Sequence, residues 1–525
     1  MKNGLLDAMK LPAFYPHAPK SVGMVQTHVS WVFLAEGLVY KVKKPVNLGF
    51  LDFSDLKKRR FFCEEELRLN RRLAPDVYLK VAPIHLSASG RYNLEGDGRV
   101  AEYAVVMKRL PEEGMGDHLL VEGELTEEIL DRTAQTLAAF HAAAPTGGEV
   151  DEAGSVAAIR RNNEENFVLM ERYVGPVLTR LQFRFLSAYA ERFLARHAAL
   201  FKKRVAAGRI RDGHGDLHLE NLCIVDGRPV IFDCIEFSPR FRFGDVAGEA
   251  AFLCMDLDFA GAPDLARSFA ESYARAAGDP DLFALLPFYK FYRACVRGKV
   301  LCLRTDDIAL SDADRRTAWT RACCYFDFAF TYAARFEKPT LIIMCGLMGT
   351  GKSALARELA ATTESRLLRS DVVRKEILGI APTARRNDPY GEGAYDEETT
   401  ARTYEALFRE AALILRSGGS VILDASFKSS VERRKAVETA EAAGADFFAV
   451  VCECPETEVK RRLAARAQNG GDPSDGRVEL FGIQKCRFEE VSDIPPEHCI
   501  RVTTTLTPRR LAQEVMARIF HPSWF

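Results

Sequence analysis

A short phosphate-binding pattern lies in the stretch IIMCGLMGTGKSALARELA, which runs from Ile342 to Ala360. It fits the spacing G-x-x-x-x-G-K-[ST], and its glycines, lysine and serine are Gly346, Gly349, Gly351, Lys352 and Ser353. Glycines let the backbone curl until its N–H groups point at phosphate oxygens, and the following helix adds its positive end. In this pattern the lysine reaches the β- and γ-phosphates of ATP, and the serine hydroxyl binds Mg²⁺. The stretch therefore predicts that Lys352 and Ser353 bind Mg-ATP.

Two aspartates lie at the carboxyl ends of predicted strands, where an open parallel sheet binds its ligands. Asp371 follows one strand and precedes Arg374 by a helical turn, and Asp424 ends the next strand. A carboxylate in this position can hold Mg²⁺ or its water, or accept a proton from a hydroxyl. Both aspartates precede helical sequence, so the alternative for each is a helix N-cap.

A charged helix further along carries Arg462 and Arg466, four residues apart on one face. It leads into a segment rich in Gly, Asp, Pro and Ser. This arrangement predicts a lid whose arginines close on the transferring phosphoryl group. The alternative is a charged helix that simply faces solvent.

A second chemical signal is HGDLHLENLCIVDGRPVIFDCIEF in the N-terminal half. Asp216 precedes Asn221 by five residues, as in the catalytic loop of protein kinases, and Asp233 follows after a strand–turn–strand. With this spacing Asp216 can accept the proton of an attacking hydroxyl, while Asn221 and Asp233 hold Mg²⁺ against the phosphates of ATP. We expect His214 to brace the loop. His218 either braces it too or faces the substrate, and Glu236 is either a further ligand or an ordinary polar strand end.

The C-terminal half resembles the small P-loop kinases of the polynucleotide-kinase, gluconate-kinase and zeta-toxin type. The resemblance rests on the phosphate-binding pattern, on SDVVR and DASF, and on the two arginines of the predicted lid, and it covers nearly all of Thr340–Phe525. It implies that Asp371 is the general base for a substrate hydroxyl and that Arg374 positions a phosphate. A nucleic-acid 5′-hydroxyl remains an alternative acceptor, although the balanced charge of the chain argues against it.

The N-terminal half resembles the aminoglycoside-phosphotransferase and choline-kinase branch of the kinase-like fold, through H-G-D-x-x-x-x-N and FGDVAGEAAFLCMDLD. In that branch a strand lysine pairs with the ATP phosphates and with a helical glutamate. LVYKVKKP offers Lys41 first and Lys43 second, and CEEELRLNRRL offers Glu66 first and Glu65 second. The resemblance further implies an adenine-binding hinge at EYAVVMKRLP.

The order of predicted elements supports two fold types in one chain. HVSWVFLAEGLVYKVKKPV predicts a hairpin, RYNLEGDGRVAEYAVVMKRL a second one, and long helical stretches follow. Beyond Thr340, strands alternate regularly with helices, which predicts a parallel, doubly wound sheet. We therefore expect a protein-kinase-like α+β domain over residues 1–336, with a small β-rich lobe and a helical lobe, and an α/β P-loop domain with a five-stranded parallel sheet over 337–525.

Composition limits the classes of function. The chain has 525 residues, a formal net charge of −1 and thirteen cysteines without a CxxC pair. This balance provides no overall basic field for nucleic acid or anionic membranes, and it predicts reduced thiols. We find no signal peptide and no apolar run of membrane-spanning length, so we expect a cytoplasmic protein.

Together these features predict a two-domain kinase that uses ATP and Mg²⁺ to phosphorylate hydroxyl groups of small molecules. An alternative of another class is that one half is a nucleotide-sensing regulatory module and the other the catalyst. The sequence identifies neither acceptor and does not give the oligomeric state.

Overall fold

The computed structural model of the chain describes residues 2–27, 29–47, 49, 51–94, 96–306, 310–381, 392–469 and 476–524, with side chains for all of these except 2, 3 and 466–469. The chain divides into two compact units. The first comprises Met1–Leu178 and Leu186–Ala329, and the second comprises Thr179–Phe185 and Phe330–Phe525. The predicted domain boundary between residues 336 and 337 stays a prediction.

The first unit opens with a six-stranded sheet of order β1-β2-β3-β6-β4-β5, in which all neighbouring strands are antiparallel. Its strands are β1 (Gly23–Gln26), β2 (Ser30–Ala35), β3 (Leu38–Lys43), β4 (Tyr78–Leu86), β5 (Tyr92–Asn93) and β6 (Arg99–Lys108). Apolar side chains of alternate residues, such as Phe33, Tyr40, Val42 and Ala104, form a core on one face. This sheet corresponds to the predicted β-rich lobe.

The first predicted hairpin is confirmed and the second is wrong. β2 and β3 pair across a tight turn at Glu36, which has a φ of 56°. β5 and β6 do not pair with each other, because both pair with β4, which the prediction missed.

Helices and short hairpins follow the sheet. The helices are α1 (Lys2–Met9), α2 (Leu56–Asn70), α3 (Gly116–Val121), α4 (Glu127–Ala143), α5 (Glu149–Ala153), α6 (Val156–Met170), α7 (Arg180–Arg196), α8 (Ala198–Ala206), α9 (Pro239–Arg242), α10 (Val246–Phe259), α11 (Pro263–Ala277), α12 (Leu282–Arg304) and α13 (Asp312–Ala333). The short strands are β7 (Ile210–Asp212), β8 (Leu222–Val225), β9 (Arg228–Ile231) and β10 (Phe243–Asp245). β7 pairs with β10 and β8 with β9, so the loops that carry the predicted catalytic residues are anchored at both ends. α10 packs against α11 and α12, as expected for the helical lobe.

The second unit contains a five-stranded sheet of order β12-β13-β11-β14-β15, and every pair of neighbours is parallel. Its strands are β11 (Thr340–Cys345), β12 (Arg366–Arg369), β13 (Val421–Asp424), β14 (Asp446–Glu453) and β15 (Cys499–Thr503). Its helices are α14 (Lys352–Thr363), α15 (Ser370–Ile377), α16 (Glu397–Arg416), α17 (Ser430–Ala442), α18 (Glu456–Asn469), α19 (Val478–Cys486) and α20 (Pro508–Phe520). Every residue of β11 is buried, as a central parallel strand requires. The predicted fold class is confirmed for both halves of the chain.

Two further expectations concern the whole chain. The thirteen cysteines are free thiols, as predicted. Within the described ranges, no helix combines the length and the apolar character that crossing a bilayer would demand.

Candidate active sites

The first site is built on the loop His214–Asn221, which we call the HGD loop, between β7 and β8. The Asn221 side-chain amide donates a hydrogen bond to the Asp216 carbonyl oxygen at 2.9 Å and lies 3.4 Å from Asp216 Oδ2. The backbone N–H of Phe232 donates to the Asn221 carbonyl, which ties the loop to the segment before Asp233. The Asp216 carboxylate stays 39% exposed, so it is accessible to a substrate.

Glu249 on α10 anchors the HGD loop through hydrogen bonds to its backbone. One of its carboxylate oxygens accepts hydrogen bonds from the backbone N–H groups of His214 at 2.7 Å and Gly215 at 3.0 Å. The other lies 2.8 Å from His141 Nε2. Burial raises the pKa of Glu249, but its bonds to His141 and to the loop outweigh burial and lower the pKa to about 2. Glu249 is therefore an anchor of the loop that the sequence did not reveal.

The two histidines of the loop differ in their surroundings. His214 Nε2 lies 2.9 Å from the Phe232 carbonyl, which is the bracing position expected for it. His218 is buried, and its Nε2 lies 3.6 Å from Asp216 Oδ2. Burial raises the pKa of Asp216, but His218, Arg297 and His214 lower it to about 2. Asp216 is therefore an ionised carboxylate at neutral pH, as a proton acceptor must be.

Lys41 contacts two other residues that were predicted to take part in nucleotide binding in the N-terminal half. Its Nζ lies 2.5 Å from Asp233 Oδ1 and 2.9 Å from Glu66 Oε1. Burial lowers the pKa of Lys41, but the carboxylates of Asp233 and Glu66 raise it well above its usual value. Glu65, the second choice for the helical glutamate, pairs instead with Arg68 at the surface. The structure thus joins Lys41 to Glu66 rather than to Glu65.

Asp233 has a left-handed backbone conformation and a partly exposed carboxylate. Its φ of 61° lies in the left-handed region, which is strained for a residue with a side chain. Its N–H donates to the Tyr78 hydroxyl at 3.1 Å, and its carboxylate is 44% exposed. Glu236, three residues on, is buried and pairs with Lys43. It therefore does not present its carboxylate to a substrate.

The second site begins with the loop between β11 and α14. The φ angles of Gly346, Gly349 and Gly351 are 136°, 76° and 90°, all in the region that favours glycine. α14 starts at Lys352, whose Nζ donates to the Leu347 carbonyl at 2.7 Å and is thereby folded back over the loop. Burial lowers the pKa of Lys352, and Asp424 and Asp371 oppose this effect.

A cavity of about 590 Å³, which we call the P-loop cavity, opens beside this loop. The predicted site residues that line it are Gly349, Gly351, Lys352, Ser353, Asp371, Arg374 and Asp424. Tyr395, Tyr404 and Phe408 supply aromatic surface in the same cavity. The structure therefore brings the phosphate-binding loop, both aspartates and Arg374 around one space.

Arg374 and Asp424 are each held by neighbours. Arg374 is 6% exposed, donates to the Ala394 carbonyl at 3.0 Å and the Thr400 hydroxyl at 3.1 Å, and lies over the Tyr395 ring. Asp424 is the last residue of β13, and its carboxylate accepts a hydrogen bond from Arg369 at 3.1 Å. Asp371 lies in the first turn of α15.

Arg462, one of the two predicted lid arginines, does not line this cavity. Arg462 on α18 donates to the Glu458 carboxylate at 2.8 Å and to the Thr504 carbonyl at 2.7 Å. It therefore lies against the end of β15 and does not line the cavity. The Arg466 side chain and residues 470–475, which include much of the predicted lid segment, lie outside the described residues.

A different helix lines the P-loop cavity. Arg477, which precedes α19, and Leu480, Gln484 and Arg487 follow one another at intervals of three, four and three residues, so they share one helical face. Gln484 Oε1 accepts a hydrogen bond of 2.7 Å from the backbone N–H of Met348 in the phosphate-binding loop. The prediction missed this face, although the spacing in RVELFGIQKCR could have indicated it.

Two different family models match the chain, one in each half. Residues 56–288 match the model of the phosphotransferase enzyme family, and residues 341–491 match an AAA domain model. A choline/ethanolamine kinase family protein from Mesorhizobium loti is 13% identical, with a TM-score of 0.37 over 63% of this chain and 98% of its own. A gluconokinase from Sinorhizobium meliloti is 18% identical, with a TM-score of 0.26 over 36% of this chain and 98% of its own.

Relatives that span both halves come from mycobacteria. The uncharacterized proteins Rv2004c of Mycobacterium tuberculosis and Mb2027c of Mycobacterium bovis are each 32% identical over 465 residues, which is 88% of this chain and 89% of theirs. The chain belongs to the same family as these mycobacterial proteins, and it joins a domain of the phosphotransferase enzyme family to a P-loop kinase domain.

Proposed function

We propose that the chain is a phosphotransferase with two separate centres, each of which transfers the γ-phosphoryl group of Mg-ATP to a hydroxyl group of a small molecule. The centres belong to residues 1–336 and 337–525. The observations that support this proposal are that Lys41 pairs with Asp233 in the half that carries the HGD loop, and that Lys352 lines one cavity with Asp371 and Asp424. The proposed site residues are Lys41, Asp216 and Asp233 in the first half, and Lys352, Asp371 and Asp424 in the second.

Mg²⁺ fits the donors of both sites. Among the described residues there is no group of three or more His, Cys, Asp or Glu side chains placed to hold a metal ion. Mg²⁺ does not need one, because it is usually held by one or two carboxylates together with phosphate oxygens and water. Asn221 and Asp233 would hold it in the first site, and Ser353 and Asp424 in the second. When bound, it would neutralise negative charge on the phosphates of ATP.

In the first site, side chains of the protein would position the ATP phosphates and deprotonate the acceptor hydroxyl. Lys41 is available to the phosphates once they displace its contact with Asp233. The Asp216 carboxylate is partly exposed and ionised, and the Asp216 carbonyl accepts a hydrogen bond from Asn221, so the carboxylate can accept the proton of an acceptor hydroxyl as that oxygen attacks phosphorus.

In the second site the curled loop and Lys352 would cradle the phosphates. Asp371 would accept the proton from the acceptor hydroxyl. Arg374 is buried and fixed by two hydrogen bonds, so it can orient an anionic group without a large loss of side-chain entropy.

The test is transfer from γ-labelled ATP to an untargeted metabolite pool by the full chain. Asp216→Ala and Asp371→Ala should each abolish a different set of labelled products. Matched controls are Asp76→Ala and Glu438→Ala, which remove exposed carboxylates in the same halves. If only one of the two variants loses labelling, the other half is a regulatory module; if both keep full labelling, the proposal is wrong.

A nucleic-acid 5′-hydroxyl is a second candidate acceptor for the second site. The observation that favours it is the number of cationic side chains around the P-loop cavity, which also include Arg357, Lys428, Lys435, Arg477 and Arg487. The chain should then phosphorylate 5′-hydroxyl oligonucleotides, and Asp371→Ala should abolish the transfer. Absence of transfer at high enzyme concentration would eliminate this candidate.

A further inference from the structure

A second buried lysine lies behind Lys41 on the same strand. Lys41 and Lys43 are two residues apart on β3, so their side chains project from the same face of the sheet. Lys43 is 1% exposed and lies 4.8 Å from the centre of the Phe53 ring. The proposed function uses Lys41 but gives no task to Lys43.

Glu66 is shared between the two lysines. Its carboxylate is fully buried, with Oε1 2.9 Å from Lys41 Nζ and Oε2 2.7 Å from Lys43 Nζ. Of these two contacts only the one from Lys43 is a hydrogen bond, whereas Lys41 makes an ion-pair contact with Oε1. A buried charge needs such partners to offset its desolvation. Lys43 therefore fixes the orientation of the glutamate that faces Lys41.

Glu236 completes the arrangement from the other side. It is buried, and its carboxylate forms an ion pair with Lys43 Nζ. Asp233, Lys41, Glu66, Lys43 and Glu236 thus form a row of alternating charges, which we call the lysine–carboxylate row. Its exposed end is Asp233, and its buried end is Glu236.

The row has a charge balance that suits nucleotide binding. With Asp233 included it holds two lysines and three carboxylates, but the four inner groups alone are neutral. When Asp233 turns to a metal ion and Lys41 to a phosphate, the inner groups can keep their positions without an unpaired charge. Because Asp233 and Glu236 are three residues apart, the Lys43–Glu236 pair also ties the metal-binding segment to β3.

We propose that Lys43 and Glu236 are positioning residues of the first site: they hold Glu66 and the Asp233 segment so that Lys41 is aimed at the ATP phosphates. This proposal rests on the proposed function of the first site. A pair that served stability alone would leave ATP affinity unchanged when both charges are removed together.

The test measures Mg-ATP binding to the full chain by titration calorimetry, in a Lys352→Ala background that disables the second site. Lys43→Met and Glu236→Gln should each weaken binding by about 10-fold or more, the usual effect of removing a partner behind a direct ligand. The double variant Lys43→Met/Glu236→Gln leaves no buried charge without its opposite partner, so it should fold, yet its affinity should stay equally low. Lys43→Arg, which keeps the charge, should retain most of the affinity.

Control variants distinguish a loss of positioning from a general destabilisation of the fold. Lys44→Met and Glu65→Gln alter neighbouring charged residues outside the row and should leave ATP affinity at the native value. Thermal unfolding should show that the double variant retains a cooperative transition. Native affinity in the double variant would overturn the proposal.

The Lys41→Met variant distinguishes an error in the positioning role of Lys43 and Glu236 from an error in the assignment of the first site. If Lys41→Met abolishes binding while the Lys43 and Glu236 variants bind normally, only the positioning role is wrong. If Lys41→Met has no effect on binding in the Lys352→Ala background, the first site itself is wrongly assigned.

Discussion

At the scale of single residues, the first site depends on the hydrogen bonds between Glu249 and the HGD loop. Both of its oxygens are engaged, one by two loop N–H groups and one by His141. The sequence predicts Asp216, Asn221 and Asp233 because their spacing is local and follows a known chemistry. It does not predict Glu249 or His141, because they lie 35 and 73 positions from His214 and meet it only after the helices pack.

Gly213, which precedes the HGD loop, has no room for a side chain. A Cβ at this position would lie 2.3 Å from Glu249 Oε2. We predict that Gly213→Ala displaces Glu249, shifts the loop and lowers the turnover of the first site by about 100-fold, the cost of a small misplacement of reacting groups. Steady-state kinetics on the product lost in Asp216→Ala will measure this. Gly244→Ala, where a Cβ has open space, is the control, and equal rates in the two variants would contradict the account.

The low pKa of Glu249 in the folded chain also leads to a prediction of how the free energy of unfolding depends on pH. Its pKa is about 2 in the folded chain, below the usual value of about 4.3, so its carboxylate stabilises the fold above that usual value. This contribution, roughly 3 kcal/mol, should be lost as the pH falls through 4 towards 2. The native chain should therefore be more stable than Glu249→Gln at pH 7, and the difference should shrink on acidification. Urea unfolding at a series of pH values will measure it, and a constant difference would refute the assignment.

At the scale of elements, sequence periodicity predicts the parallel sheet well and the antiparallel sheet less well. The alternation of strands and helices predicted beyond Thr340 is observed as five parallel strands. β4 was missed because Pro83 interrupts it, and proline argues against an inner strand. The structure accommodates Pro83 because β5 pairs only with His85 and Leu86, so β4 has an open edge at the proline.

The helical lobe is held together by a buried arginine. Arg204 on α8 is 1% exposed and forms ion pairs with Asp245, the N-cap of α10, and with Asp279 after α11. Removing it leaves two buried carboxylates without their partner. We predict that Arg204→Met destabilises the fold by about 3–5 kcal/mol, measured by urea unfolding. Lys203→Met changes an exposed neighbour and should alter stability by less than about 1 kcal/mol; a similar loss in both would contradict the prediction.

α19 makes a direct contact with the phosphate-binding loop. The Gln484 side chain accepts a hydrogen bond from the Met348 N–H, so this donor of the phosphate-binding loop is occupied. We predict that Gln484→Ala frees this donor and tightens ATP binding at the second site by about 2- to 12-fold, the value of one net hydrogen bond. Calorimetry in a Lys41→Met background will test this, with the exposed Lys485→Ala as control. Weaker binding in Gln484→Ala would instead make Gln484 a ligand contact.

At the scale of the whole molecule, two kinds of phosphate-binding architecture occur in one chain. The antiparallel sheet provides Lys41 and the HGD loop provides Asp216. The parallel sheet is followed by a glycine-rich loop after β11 and by Asp371 in the first turn of α15, and it carries Asp424 at the end of β13. Both were predictable because each is carried by a short stretch with fixed spacing. Arg374 was predicted and lines the P-loop cavity, whereas Arg477 and Arg487 line it unpredicted and Arg462 does not line it, because arginine spacing alone does not show which helix faces the cavity.

The number of Mg-ATP molecules bound per chain tests whether the chain has two separate phosphotransfer centres. Titration calorimetry with Mg-ATP should give two molecules per native chain, one for Lys41→Met, one for Lys352→Ala and none for the double variant. A native chain that binds only one Mg-ATP, or whose binding is unchanged in Lys41→Met, would contradict the existence of two separate phosphotransfer centres.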